Sequence, residues 1–232
     1  MNQRTLGDVR ERALRGMAKT IASALVVGLL LFVSAGRLDW VMGWAYVGLS
    51  FIGIAASALV VDPELLAERA EIGRGVQALD VLLAIIMARL GPVAISVVAG
   101  LNLRFRWQPR ISPGIQGMGA VAVLLGYVVT LWAMASNRFF SGVVRIQTER
   151  GHAVVTSGPY ALVRHPGYAG VILATLGAPL MLRSAWALVP AAATVCVIVV
   201  RTVLEDRTLL RDLAGYRIYS ERVRYRLLPG VW

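Results

Sequence analysis

A chain of 232 residues that is 57% hydrophobic and only 16% charged has too little polar surface for a water-soluble fold of its size, because soluble domains carry about 25% charged residues. The formal net charge of +11 is almost entirely arginine, with Lys19 the one lysine. The arginines stand at the ends of apolar blocks, so anionic lipid rather than nucleic acid is their expected partner. Cys196 is the single cysteine and lies inside an apolar run, which excludes an internal disulfide and a cysteine-cluster metal site, and His152 and His165 are too few to suggest a histidine metal centre.

Residues 1–16 are polar and basic and precede a first apolar block at 17–35. This block is expected to be a retained helix, because the flank Gly36-Arg37-Leu38-Asp39-Trp40 is a poor cleavage site for a signal peptide. A second span is expected at 41–61, with Trp40, Trp44 and Tyr46 as interfacial aromatics at one end and Asp62-Pro63 as its stop. Residues 63–74 read as a short amphipathic helix, with Leu65, Leu66 and Ile72 toward lipid and Glu64, Glu68, Arg69 and Glu71 toward water. The third span, 79–101, contains Arg89 and then Gly91-Pro92. An intramembrane arginine is costly unless paired or hydrated, so Arg89 is either functional or a structural partner, with Asp80 as one candidate, and Pro92 is expected to kink the helix. A fourth span follows at 115–136, and then the longest non-apolar stretch, 137–166. Two shorter apolar blocks, 168–182 and 185–200, read as a tight helical hairpin separated by Arg183-Ser184, and 201–232 reads as a basic amphipathic tail.

Six apolar blocks bring both termini to one side. Of the 24 basic residues, Arg37, Arg104, Arg106, Arg110 and Arg183 fall on the opposite side, Arg89 lies within a span, and the remaining 18 share the side of the termini. This bias predicts that the termini and the 137–166 stretch are cytoplasmic. The expected fold is an all-α, polytopic membrane bundle of five to six transmembrane helices. Residues 1–136 would be the N-terminal spans and 137–232 a second functional region.

The chain has no Gly-Lys-Ser/Thr phosphate loop, no Gly-x-Ser-x-Gly elbow and no His-Glu-x-x-His. Gly114, Gly117 and Gly119 follow no strand pattern and are expected to start or pack the fourth span. Chemistry concentrates in 137–166. Alternation around 143–148 could be extended or a small hairpin. Gly158-Pro159 and Pro166-Gly167 mark turns, so Arg164 and His165 stand just before a membrane helix whose first backbone N–H groups suit an anionic or polar ligand. Arg201 and Glu205 are four apart and share a helical face, as an ion pair or as part of a site.

The run GPYALVRHPGYAG at 158–170, the apolar hairpin, Arg201, Glu205, Asp206 and Leu209, then Gly215-Tyr216, Tyr219, Arg226 and Pro229 together resemble the C-terminal signature of isoprenylcysteine carboxyl methyltransferases, to which phospholipid N-methyltransferases are related. The resemblance runs from about Asn137 to Pro229. It implies a membrane enzyme using S-adenosylmethionine, with S-adenosylhomocysteine as product, and a cytosolic cofactor pocket built from the C-terminal third. Carried onto this chain, the cofactor-binding residues would be Gly158, Pro159, Tyr160, Val163, His165, Pro166, Tyr168 and Glu205. Asp206 stands where the family usually has a second glutamate. Within that implication Arg164, Arg201 and Asn137 are candidate catalytic residues that would orient an acceptor carboxylate. The acceptor would be a lipophilic small molecule or prenylated substrate drawn from the bilayer. A membrane reductase of the sterol-reductase type using NADPH, an amine or phospholipid N-methyltransferase, and a non-catalytic membrane scaffold are the competing readings.

Overall fold

The structure is a computed structural model and describes residues 3–69 and 77–232. Nine α-helices follow one another among these residues: α1 (Gln3–Ala35), α2 (Val41–Val60), α3 (Pro63–Arg69), α4 (Ala78–Ile85), α5 (Gly91–Phe105), α6 (Pro113–Ser136), α7 (Pro166–Met181), α8 (Leu188–Asp212) and α9 (Tyr216–Arg222). A π-helical turn, Ile86–Leu90, joins α4 to α5 without a break, so the two form one span. Five helices are long and apolar enough to cross a membrane: Gly7–Ala35 of α1, α2, the joined Ala78–Phe105, α6 and α8. α7 has 16 residues, about 24 Å at 1.5 Å per residue, and is shorter than the ~30 Å hydrocarbon core. Among the described residues there is no strand, only an isolated bridge between Arg110 and Ser184. The chain is thus an all-α polytopic membrane protein, as its composition predicts.

Local chemistry sets the helix boundaries. Ser112 caps α6, its hydroxyl accepting from the Ile115 N–H at 3.4 Å, with Pro113 in the first turn. Asp62 opens α3 in the same way, accepting from the Glu64 N–H at 2.7 Å ahead of Pro63. At Pro92 the helix does not simply kink. The wider π turn immediately before it, in which the Gly91 N–H reaches the Ile86 carbonyl, absorbs the disruption of the ordinary ladder.

Glycines let the spans approach closely. A Cβ on Gly126 would lie 2.5 Å from the Gly170 carbonyl oxygen, and one on Gly177 would lie 2.8 Å from that of Gly119. α6 and α7 therefore meet backbone to backbone along their length, the small-residue packing expected where lipid supplies no hydrophobic drive between helices. Gly100 performs the same service between α5 and α1, where a Cβ would meet the Leu31 carbonyl at 2.6 Å. The core behind these contacts is formed by Leu31, Ile95, Ala99, Val123, Met181 and Ala191. Large apolar side chains such as Leu29, Ile52, Leu59 and Val128 point outward, toward lipid.

Several sequence expectations are corrected. The last long helix does not end with the apolar block at 200 but continues to Asp212, so Arg201, Glu205 and Asp206 sit on its final turns. Residues 143–148 form neither strand nor hairpin, only coil leading into a 3₁₀ turn at Thr148–Arg150. Asp80 does not pair with Arg89. It binds Arg201 across the bundle, and Arg89 is exposed on the π turn. The amphipathic helix expected at 63–74 is observed as Pro63–Arg69, with Ile72, Glu71 and Arg74 outside the described residues.

The hairpin order of the helices gathers α3, the 137–165 segment, the C-terminal end of α8 and the tail on one face of the bundle. Contacts confirm the grouping. The Arg69 guanidinium donates to the Phe140 carbonyl at 3.3 Å, Arg145 Nε to Glu68 at 3.0 Å and Arg201 to the Gly142 carbonyl at 2.6 Å. The α1–α2, α5–α6 and α7–α8 connections gather on the opposite face.

Candidate active site

The site begins with a turn. Gly158 adopts a left-handed φ of +60°, and a Cβ there would meet the Ser136 hydroxyl at 2.5 Å, so both backbone and space call for glycine. The 3₁₀ turn Gly158–Ala161 then buries Pro159 and Tyr160. Val163, Arg164, His165 and Pro166 are buried as well, and Pro166 starts α7, whose first free N–H groups lie beside His165 and Tyr168. The C-terminal tail clamps this loop: the Arg164 N–H donates to the Tyr225 carbonyl and the His165 N–H to the Arg226 carbonyl, both at 2.9 Å, and the Tyr219 hydroxyl donates to the Tyr160 carbonyl at 2.7 Å.

Two adjacent carboxylates at the end of α8 meet the loop differently. Asp206, 1% exposed, accepts from Arg164 Nε and Nη2 at 2.9 Å each, from Arg226 Nε at 2.8 Å, from the Tyr216 hydroxyl at 2.9 Å and from His165 Nε2 at 3.2 Å. Burial, together with the charge of Asp206, pushes the Tyr216 hydroxyl far up, so it remains a neutral donor. Glu205 instead accepts from the Tyr168 hydroxyl at 2.6 Å through one oxygen, leaving its other oxygen without a donor among the described residues. The His165 and Tyr168 ring centroids are 6.0 Å apart. His165, Tyr168 and Glu205 are thus brought together on one face.

The three residues expected to orient an acceptor fare unequally. Arg164 holds Asp206 through Nε and Nη2, and its Nη1 reaches the carbonyls of Ser220, Val223 and Arg224. Arg201 is 2% exposed and binds Asp80 through Nε at 2.8 Å, while its guanidinium lies 5.8 Å from the Tyr168 ring centre and its Nη1 has no hydrogen-bond partner among the described residues. Arg201 and Glu205 share a helix face without forming an ion pair. Asn137 terminates α6, its Oδ1 accepting from the Phe139 N–H at 2.9 Å. Burial raises the Tyr160 hydroxyl, opposed by its hydrogen bond with Asn137.

Sequence reasoning missed the part played by five residues. Asp206 reads in sequence as a shortened version of a contact residue and is the hub of the loop. Asp80 carries a signal, a carboxylate at the mouth of an apolar span, but its partner lies 121 positions away. Tyr216 and Arg226 belong to the recognised pattern without a role. His152 stacks on Phe139 with centroids 4.5 Å apart, and its Nδ1 accepts from the Gln147 N–H at 3.3 Å.

Beside the loop an intramembrane cavity of about 420 Å³ opens between α1, α2, α5 and α6. Its deep end holds Tyr46, Ser50 and Tyr127, with the two hydroxyls of Ser50 and Tyr127 3.1 Å apart. Leu66, Met134 and Arg69 line it as well. The Arg69 guanidinium stacks 5.1 Å from the Phe140 ring centre, and Phe140 in turn lies against Gly167, where a Cβ would come within 2.4 Å. The cavity therefore ends one aromatic ring away from the loop that starts α7.

Residues 118–211, from α6 through the end of α8, match the family profile of the isoprenylcysteine carboxyl methyltransferases. The match covers less than half of the chain, and it is this stretch that is similar to the family. Relatives include the probable protein-S-isoprenylcysteine O-methyltransferase of Oryza sativa subsp. indica, 39% identical over 66 residues, which are 28% of this chain and 35% of the relative. Protein-S-isoprenylcysteine O-methyltransferase B of Arabidopsis thaliana is 27% identical over 112 residues, 47% of this chain and 57% of the relative. The corresponding protein of Saccharomyces cerevisiae is 28% identical over 116 residues, 49% and 46% respectively. The chain thus spans between about a third and just over half of the length of these curated relatives. Within the family match lie Asn137, the 158–168 loop, Arg201, Glu205 and Asp206. The clamping residues Tyr216, Tyr219 and Arg226 lie beyond it.

Proposed function

We propose that the protein is an integral membrane methyltransferase that uses S-adenosylmethionine to methylate a lipophilic acceptor, a carboxylate of the isoprenylcysteine or isoprenoid-acid class. The carrying observation is the convergence of His165, Tyr168 and Glu205 against a clamped turn, with a membrane cavity ending next to it. In this reading 1–136 supplies spans and acceptor cavity, 137–232 supplies the cofactor region, and that region and both termini face the cytoplasm.

The donor set suits such a cofactor. Glu205 has an oxygen to spare for a ribose diol or an ammonium group. The first turn of α7 offers backbone N–H groups to a carboxylate, and Tyr160 and Tyr168 offer ring faces to a sulfonium or an adenine. Gly158, Pro159, Val163, His165 and Pro166 would shape the remaining wall. Bound there, S-adenosylmethionine supplies an electrophilic methyl group on sulfur. An acceptor carboxylate ordinarily titrates at about pH 4 and is already ionised at neutral pH, so no protein base is required. The protein's task is alignment and exclusion of water. Arg201 Nη1 is the group left to steer the acceptor, with the Asn137 amide turned to the Tyr160 hydroxyl beside it, while Arg164 acts as a positioning residue that holds the loop on Asp206.

The deciding experiment is transfer of a tritiated methyl group from the cofactor into a total lipid extract, paired with titration of the purified protein by S-adenosylhomocysteine and by NADPH. Label in an alkali-labile lipid ester and binding of the homocysteine product are expected. NADPH binding without S-adenosylhomocysteine binding would overturn the reading in favour of a reductase. Label resistant to alkali would reassign the acceptor to an amine.

A further inference from the structure

We infer that the face of the bundle opposite the candidate active site carries a binding site for the headgroup of an anionic phospholipid. A cavity of about 460 Å³ lies there, where the α1–α2, α5–α6 and α7–α8 connections meet. Its charge is unbalanced: Arg37, Arg106, Arg110 and Arg183 line it, and the one carboxylate, Asp39, is already bound by both Arg37 Nε and Nη2 at 2.6 Å. Among the described residues Arg106 and Arg110 have no ion pair and no side-chain hydrogen bond, and Arg183 uses Nε alone, donating to the Ile111 carbonyl at 2.9 Å. Three guanidinium groups thus face the cavity with donors to spare, the arrangement that suits phosphoryl oxygens.

The cavity is built rather than incidental. Arg106 and Arg183 are the only non-glycine residues with positive φ among those described, at +52° and +55°, and both line it. Such backbone is unfavourable for a residue with a Cβ and persists only where the surroundings enforce it. Cross-ties between the connections supply that enforcement. Ser184 donates to Asn102 Oδ1 at 2.9 Å, Gln116 to the Met181 carbonyl at 2.9 Å and Trp186 to the Gln108 carbonyl at 2.7 Å. Trp107 stands at the rim with Trp186 edge-on at 6.5 Å, as indoles do at the headgroup level of a bilayer. An anion held among these groups at that depth is most simply supplied by a phospholipid. This site is independent of the methyl-transfer reading.

The test uses the full chain purified in a zwitterionic detergent, with the thermal midpoint measured after adding dioleoyl phosphatidylglycerol, dioleoyl phosphatidylcholine or inorganic phosphate. Phosphatidylglycerol is expected to raise the midpoint by several degrees and phosphatidylcholine to leave it. Arg106→Asn combined with Arg110→Gln should lose more than half of that rise, since asparagine tolerates the left-handed backbone while both charges are gone. Arg217→Gln with Arg222→Gln, on the other face, should keep it. If the double variant unfolds without lipid, Arg106→Asn alone gives the reading. A rise in the 106/110 variant equal to that of the parent, or one produced equally by phosphatidylcholine, would overturn the site. An equal rise with inorganic phosphate would overturn its assignment to a lipid.

Discussion

Glu205 and Asp206 differ in length by one methylene and in sequence by one position, yet the helix turns them into different environments. Asp206 balances Arg164 and Arg226 in a site closed to water. Removing its charge would strand Arg164 without a counter-ion, and breaking a buried pair costs about 3–5 kcal/mol. Asp206→Asn is therefore expected to lower the thermal midpoint by roughly 10 °C or more, measurable in detergent by loss of helical circular dichroism. Glu205 has one protein donor and a free oxygen, so Glu205→Gln should leave the midpoint close to that of the parent. Its expected effect is on S-adenosylhomocysteine affinity, by about 10- to 100-fold, the worth of a charge-assisted hydrogen bond. Calorimetric titration checks this, and an unchanged dissociation constant would remove Glu205 from the proposed pocket. The sequence could not separate the two carboxylates, because both roles require an acid at the end of a helix. The donors that distinguish them arrive from α7, α9 and the tail.

At the scale of elements, the α6–α7 pair and the 137–165 segment make opposite demands. The helix pair depends on missing side chains. Gly126→Ala should destabilise by about 1–3 kcal/mol, the usual cost of overpacking, because its methyl group would meet the Gly170 carbonyl at 2.5 Å. Gly117→Ala, on the same helix but with nothing within 4 Å, should be neutral or slightly stabilising, and thermal melts of the two variants separate packing from helix propensity. The loop segment depends instead on His152. Burial holds its pKa below the usual value of 6.5, with Arg145 and Arg150 working in the same direction and Glu205 and Glu149 opposing. A group whose folded pKa is depressed is protonated more readily when unfolded. The stability it lends is present above about pH 6.5 and is lost as the pH falls through the lower folded value. Amide exchange across 137–165 should consequently quicken between pH 7.5 and pH 5. His152→Gln should flatten that dependence, and an equal acid response in the variant would show that another group is responsible.

For the whole molecule, the first four spans are legible because their apolar blocks are long and are flanked by arginine, tryptophan or proline, and the loop from 158 to 170 is legible because its turn residues are specific. Three things are not. The continuation of α8 to Asp212 is polar on its outer side, so it reads as tail. The Asp80–Arg201 tie joins residues far apart in the chain. The cavity between α1, α2, α5 and α6 is defined by faces that no periodicity identifies, since lipid and a lipophilic ligand select the same residue types. That cavity carries the last prediction. Gly53 faces it with the Tyr127 ring 3.5 Å from where a Cβ would stand. Gly53→Leu would extend a side chain into the space while leaving the loop and the end of α8 untouched. If the cavity takes the acceptor's hydrocarbon chain, KM for a long-chain acceptor should rise at least about tenfold, since losing three to four buried CH₂ groups at ~0.8 kcal/mol each is worth more than 1.4 kcal/mol. The dissociation constant for S-adenosylhomocysteine and the rate with a short, water-soluble acceptor should not move. Equal losses with long and short acceptors would mean that the substitution disturbs the bundle as a whole, and an unchanged KM would mean that the chain is accommodated elsewhere.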